Sequence, residues 1–216
     1  KTQKNHKTES QQNIRITNTF EGIGVQGLKW LERVKKETGL LTCTEVANPE
    51  HIKACLDHGV DILWIGARTT VNPFLIQNIA DYLEGKDIPV MVKNPINADI
   101  SLWVGAIERF LNKGITKLVG IHRGFSTARP SQYRNEPCWK IPIEIRQKVP
   151  GLPLICDPSH ISGDRNKIME VSQKAFDIAM EGLMIETHPD PDKALSDRKQ
   201  QVTPNYLEEI LQTLQY

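Results

Sequence analysis

Three side chains in the C-terminal half have the types and placement to share a divalent cation: His160, Glu186 and Asp197. The first follows the apolar run Leu154-Ile155-Cys156 in the segment Asp157-Pro158-Ser159-His160. The second comes at the end of Gly182-Leu183-Met184-Ile185, and the third closes Ala194-Leu195-Ser196-Asp197. One imidazole nitrogen with two carboxylates is a donor set that suits manganese, iron or zinc. His188, two residues past Glu186 and on the same face of an extended strand, is a reserve ligand or a group behind the ligands. A second set is cationic. Arg68, Lys93 and Arg123 each come at or just after the end of an apolar run, and three such cations converging on one mouth suit a substrate that carries phosphate and carboxylate groups.

Positioning these residues requires a repeated element pair. Strand-like runs fall at 40–46, 61–65, 89–92, 117–121, 152–156 and 182–185, and helical spacing at 25–38, 49–58, 73–83, 100–112, 141–148, 165–180 and 204–214. Alternation of strand and helix implies parallel strands joined by right-handed crossovers. The polar residues decide between the two common parallel architectures. Thr44 and Glu45 end the first run, Arg68 follows the second, Lys93 the third, His122 and Arg123 the fourth, His160 the fifth and Glu186 the sixth. Every strand thus hands polar groups to its C-terminal end, as in a (β/α)8 barrel, whereas an open doubly wound sheet gathers them at one switch point.

The 27 basic and 26 acidic residues give a net charge of +1, which excludes recruitment of nucleic acid or an anionic membrane by a global field. No apolar run is long enough to span a bilayer and no signal segment opens the chain, so a cytoplasmic protein is expected. Cys43, Cys55, Cys138 and Cys156 lie far apart and are expected reduced and buried. Trp30, Trp64, Trp103 and Trp139 read as packing residues. Arg129, Arg134 and Lys140 read as a solvated face in the long loop after the fourth strand, with substrate contact the alternative. Residues 1–19 form a polar segment, with 1–12 a disordered tail and 13–19 a weak edge strand, and 20–216 form the barrel domain. The first residue is lysine, which is expected of a processed or truncated N-terminus. Gly22 and Gly24 form a glycine loop that opens the first helix; with no apolar strand before them they make a poor dinucleotide fingerprint.

These motifs resemble the 3-deoxy-7-phosphoheptulonate (DAHP) synthases, of the short bacterial type sometimes fused to a chorismate mutase. The resemblance is carried by Phe20-Glu21-Gly22-Ile23-Gly24, Thr44-Glu45-Val46, Ile65-Gly66-Ala67-Arg68-Thr69-Thr70, Val92-Lys93-Asn94-Pro95, His122-Arg123-Gly124, Asp157-Pro158-Ser159-His160, Met184-Ile185-Glu186-Thr187-His188 and Ala194-Leu195-Ser196-Asp197. It implies a (β/α)8 barrel that condenses phosphoenolpyruvate with erythrose 4-phosphate and releases phosphate, the first step of aromatic amino-acid synthesis. It further implies that Arg68, Lys93 and Arg123 hold phosphoenolpyruvate, and that His160, Glu186 and Asp197 ligate a divalent metal, Mn2+ foremost, with Fe2+, Co2+ or Zn2+ as alternatives. Catalytic roles then fall to Lys93, Glu45 and His160, with Glu45 positioning the attacking water. The partners implied are the two substrates, further copies in a dimer or tetramer, and a chorismate mutase domain or partner.

Strands 3 to 8 of such a barrel are recognisable and strands 1 and 2 are missing or replaced. The family's Gly-Pro-Cys motif, whose cysteine is a fourth ligand, does not occur. The stretch corresponding to its Lys-Pro-Arg-Thr reads Asn13-Ile14-Arg15-Ile16-Thr17-Asn18-Thr19. Three outcomes are open: a fragment of a longer synthase, a paralogue that binds phosphoenolpyruvate or a partner without turnover, and a barrel completed by another segment. Among enzymes the alternative is 3-deoxy-octulosonate 8-phosphate synthase, which shares fold and phosphoenolpyruvate chemistry.

Overall fold

The computed structural model describes residues 22–215, so the expectations for 1–19, including Arg15 and the edge strand, lie outside the described residues. Nine α-helices and six strands alternate among them: α1 (Val25–Thr38), β1 (Cys43–Val46), α2 (Pro49–Asp57), β2 (Ile62–Ile65), α3 (Ala67–Thr70), α4 (Pro73–Leu83), β3 (Val90–Lys93), α5 (Ile100–Asn112), β4 (Leu118–His122), α6 (Lys140–Lys148), β5 (Leu154–Cys156), α7 (Pro158–Ser162), α8 (Ile168–Asp177), β6 (Gly182–Leu183) and α9 (Pro204–Thr213). Several helices start by one local device. Asn48, Asn72, Asp157 and Thr203 each place a side-chain oxygen on backbone N–H groups of the first turn, and each precedes a proline whose fixed φ suits that turn.

All strand pairs are parallel and the sheet order is β1-β2-β3-β4-β5-β6. Sequential order is the arrangement of a barrel wall and rules out a doubly wound sheet among these strands, whose order would reverse. The ladder sorts side chains by face. Val46, Ile65, Val92, Gly120 and Leu154 form one row; the four with side chains are fully buried beneath the helices. Gly120 is required there, because a Cβ would collide with Leu154 and press on Trp103, whose indole N–H donates to the Val92 carbonyl at 3.1 Å. The alternate rows, Glu45-Trp64-Met91-Val119 and Lys93-Ile121-Ile155-Gly182, face the other way. Period-two alternation therefore puts Glu45, Trp64 and Lys93 on one face, where all three line the same cavity.

Some expectations need correction. The first strand begins at Cys43, not at residue 40, and Cys43 is exposed, as are Leu40 and Leu41. Among the described strands β1 pairs only with β2. Trp30 is likewise more than half exposed on α1 and joins no core cluster among the described residues. The sixth strand is only Gly182–Leu183, because β5 ends at Cys156 and turns into α7. Met184 N–H still donates to the Cys156 carbonyl, but Glu186 N–H is taken by the Ser159 hydroxyl. Glu186 and His188 thus lie beyond the strand. The helix expected at 165–180 is a 3-10 turn, Arg165–Lys167, started by the Asp164 side chain on Asn166 N–H, followed by α8. No helix among the described residues is long and apolar enough to cross a membrane.

Candidate functional site

The C-terminal ends of the strands open into a cavity of about 1100 Å³ lined by Glu45, Trp64, Arg68, Lys93, Arg123, His160 and Asp197, among others. The three expected cations therefore meet there, and two of them are nearly buried: Lys93 is 5% and Arg123 8% exposed. Arg68 stands exposed on α3.

Lys93 ends β3, and its ammonium lies 2.8 Å from Asp157 Oδ2 and 4.4 Å from the centroid of the Trp64 ring. A buried charge needs such compensation. Burial alone would raise the Asp157 carboxyl, but the Lys93 ammonium and the His160 ring pull it well below the usual carboxylate range. Asp157 is therefore an acceptor. It takes the His160 backbone N–H on Oδ1 at 3.0 Å and lies 2.9 Å from the ring Nδ1 through Oδ2. With Nδ1 turned to Asp157, His160 points Nε2 into the cavity.

That nitrogen faces Glu186 Oε1 at 3.6 Å. One donor atom each from His160, Glu186 and Asp197 lie within 4.8 Å of one another, close enough to share an ion. The groups behind them are those a ligand set needs. Gln200 Nε2 donates to Glu186 Oε2 at 3.0 Å, and Arg134 Nη1 donates to Asp197 Oδ1 at 2.7 Å and to Gln200 Oε1. Asp197 has φ 50°, a left-handed conformation that aspartate tolerates better than most residues. Burial pushes the Glu186 carboxyl up, against the nearby His160 ring and the Gln200 bond. A cation between these groups offsets that cost, so the donor chemistry fits a divalent metal. His188 is not one of the three: its Nδ1 accepts the Asp190 N–H at 3.0 Å.

Arg123 is fixed from both sides. Its backbone N–H donates to Asn94 Oδ1 at 2.7 Å and its Nη1 to Asn135 Oδ1 at 3.0 Å, while Asn135 Nδ2 donates to the His160 carbonyl at 2.7 Å. Burial lowers the Arg123 pKa, and this is a guanidinium short of solvent and ready for an anion. Glu45, at the end of β1, is exposed as a residue, but its carboxyl lies against the cavity wall, and that desolvation raises its pKa, opposed by the charges of Lys93, His160 and Arg68.

The structure also finds what the residue types concealed. Arg134, though exposed, lines the cavity and holds Asp197, and Trp64 lines it beneath Lys93. Asn135 and Gln200 are neutral amides without a motif, brought in by contacts 12 to 66 residues away in sequence. For Trp64 a signal existed: it falls in the same alternation as Glu45 and Lys93.

Six parallel strands in sequential order, with nearly buried cations and a nitrogen–carboxylate triad at their C-terminal ends, define an α/β protein of the (β/α)8 barrel type. The chain matches the model of the DAHP synthetase I family over residues 13–216 and belongs to that family. It is 30% identical over 196 residues to the phospho-2-dehydro-3-deoxyheptonate aldolase of Thermotoga maritima, covering 91% of this chain and 56% of that protein. It is 26% identical to a 2-dehydro-3-deoxyphosphooctonate aldolase of Vesicomyosocius okutanii, covering 92% and 73%. The crystal structure of the Thermotoga maritima DAHP synthase superposes with a TM-score of 0.80 over 89% of this chain and 55% of that one. A truncated form of 3-deoxy-D-arabino-heptulosonate 7-phosphate synthase from the same organism gives 0.79 over 88% and 70%. The chain thus spans little more than half the length of the full Thermotoga maritima relative.

Proposed function

We propose that this chain condenses phosphoenolpyruvate with erythrose 4-phosphate to 3-deoxy-7-phosphoheptulonate and phosphate. The observation that carries the reading is the convergence of two nearly buried cations, Lys93 and Arg123, and the His160–Glu186–Asp197 triad on one cavity. In this reading Lys93 and Arg123, with Arg68 from the rim, hold the phosphate and carboxylate of phosphoenolpyruvate, and the barrel wall fixes the enol carbon towards the metal side. His160, Glu186 and Asp197 hold a divalent ion, Mn2+ foremost, which when bound supplies Lewis acidity to the aldehyde oxygen. The enol carbon forms the new bond to the aldehyde carbon. Water adds at the second carbon of the former phosphoenolpyruvate, and the carbon–oxygen bond to phosphate breaks. Glu45, with its carboxyl raised by burial, orients that water and accepts its proton. Residues 20–216 act as the barrel domain, and copies assemble into a dimer or tetramer.

The octonate relatives favour a second reading with the same chemistry, in which a five-carbon aldose phosphate replaces erythrose 4-phosphate. The two are separated by assaying phosphoenolpyruvate consumption with each aldose phosphate and Mn2+, repeated with a chelator. Chelator-sensitive consumption with erythrose 4-phosphate is expected. Consumption only with the five-carbon sugar selects the second reading. In Lys93→Ala, phosphoenolpyruvate binding is expected to vanish while the circular dichroism of the fold persists; unchanged binding overturns the anion site.

A further inference from the structure

We infer that Asp157 links the cation set to the metal triad, so that a bound phosphoenolpyruvate and a bound metal ion each tighten the other through this one shared carboxylate. The inference rests on the reading of the site given above and adds a residue and a coupling to it.

Asp157 is 1% exposed and has two claimants. Its Oδ2 lies 2.8 Å from the Lys93 ammonium and 2.9 Å from His160 Nδ1. It cannot turn away from either, because its Oδ1 also caps α7 through the His160 N–H at 3.0 Å and its backbone N–H is tied to the His122 carbonyl at 2.7 Å. A charge in so dry a place acts strongly on its neighbours, because little solvent is there to screen it. When a phosphate or carboxylate group enters beside Lys93, the ammonium divides its field between that anion and Asp157. Asp157 then pulls harder on the Nδ1 proton, and a more electron-rich ring presents Nε2 to the metal side. In the reverse direction, a cation at Nε2 polarises the Nδ1–H bond, commits Asp157 to His160 and releases Lys93 towards the anion. Thermodynamic linkage makes the two effects equal. Asp157 touches neither ligand, so it is a positioning residue. Direct attraction between the bound ions does not pass through it and survives its replacement.

The test measures Mn2+ affinity by chelator competition, with and without phosphoenolpyruvate, in the wild type and in Asp157→Asn, whose amide oxygen keeps the helix cap. Phosphoenolpyruvate is expected to tighten Mn2+ by about tenfold in the wild type and by no more than about threefold in the variant, the remainder being direct attraction. Equal ratios in the two proteins overturn the linkage. Asp157→Asn leaves a buried ammonium beside a neutral amide and can cost the fold, so the wild type is also examined directly. In the metal-free protein, phosphoenolpyruvate is expected to move the His160 Nδ1–H resonance downfield, the resonance being assigned by its loss in His160→Gln. A resonance unmoved at saturating phosphoenolpyruvate overturns the proposal. Phosphoenolpyruvate that binds without changing Mn2+ affinity overturns the linkage alone, whereas a wild type that binds no phosphoenolpyruvate overturns both the linkage and the function on which it rests.

Discussion

The carboxylate of Glu45 lies against the bare α-carbon of Gly66, in the space a Cβ would fill, so a side chain at 66 and the carboxylate at 45 cannot both keep their places. Gly66 has an ordinary extended backbone, φ −69°, and glycine is needed there for room and not for conformation. Gly66→Ala is expected to push Glu45 off its position at the end of β1. Because the displaced atoms are the far end of a flexible, exposed side chain, the change is expected to cost the fold little in chemical denaturation. Turnover is expected to fall at least tenfold, as in Glu45→Gln, with phosphoenolpyruvate affinity nearly unchanged. A Gly66→Ala protein with wild-type turnover would show that Glu45 has no part in the reaction.

Asn135 offers a sharper separation of anion binding from stability. It is 4% exposed and bonds both the Arg123 guanidinium and the His160 carbonyl. Asn135→Ala leaves two buried groups unpaired, at about 1–3 kcal/mol, and frees Arg123 to leave its aligned pose. Phosphoenolpyruvate affinity is expected to drop roughly tenfold in isothermal titration, with Mn2+ affinity changed less. Asn135→Asp keeps an acceptor for Arg123 but adds a carboxylate that competes with the anion, and is expected to lose at least as much affinity as the alanine variant.

The strand sequence was legible because each strand is a short apolar run bounded by glycine or proline, and the strand ends because polar residues fall just beyond them. Arg68, Lys93, Arg123 and His160 could be assigned to one face from alternation and chain order alone. The short helices α3 and α7 were not legible. Four or five residues carry too little periodicity, and their caps, Gly66 and Asp157, read equally well as loop residues. Nor were Asn135, Gln200 and Arg134 legible as site residues, because their place depends on a loop of more than ten residues folding back over α7, where Asn135 and Arg134 N–H groups meet the Ile161 and Ser162 carbonyls. Cys43 misled because a strand with one neighbour among the described strands has the same composition as one with two.

His122 predicts an acid-side loss of stability. It is fully buried at the end of β4, packed on the rings of Phe125 and Trp139, and neither ring nitrogen has a hydrogen-bond partner among the described residues. The Pro137 carbonyl favours the charged ring but falls short of hydrogen-bond geometry. Burial depresses its pKa to about 3, so it stays neutral in the fold. Below about 6.5 the unfolded chain takes up a proton that the folded chain refuses, and stability falls as pH drops from there towards 3, at most about 1.4 kcal/mol per unit. His122→Phe fits the same aromatic niche and carries no proton site. It is expected to match or exceed the wild type at pH 7 and to show a shallower loss between pH 6 and 4 in urea titrations. Parallel curves for the two proteins would mean that His122 is hydrated in solution.

Metal binding makes the last prediction, because the triad stores electrostatic cost that a cation relieves. Glu186 is raised by burial, and Asp197 is held in a left-handed backbone conformation against Arg134. An ion that binds the folded chain alone, at 100 times its dissociation constant, adds about 2.7 kcal/mol, or about 5–11 °C in melting temperature for a chain of this size. Wild-type protein is expected to gain that much from Mn2+ and lose it on chelation. His160→Ala and Glu186→Gln are expected to weaken Mn2+ by about 100-fold or more and to abolish the gain at the same concentration. The two variants differ in charge. Glu186→Gln also removes a costly buried carboxyl, so its metal-free form is expected to melt at or above the wild type, whereas His160→Ala strips Asp157 of a partner and melts below it. A Glu186→Gln protein that melts well below the wild type without metal would mean that Glu186 is held by the Gln200 bond as a structural residue, and that the triad is not built for an ion.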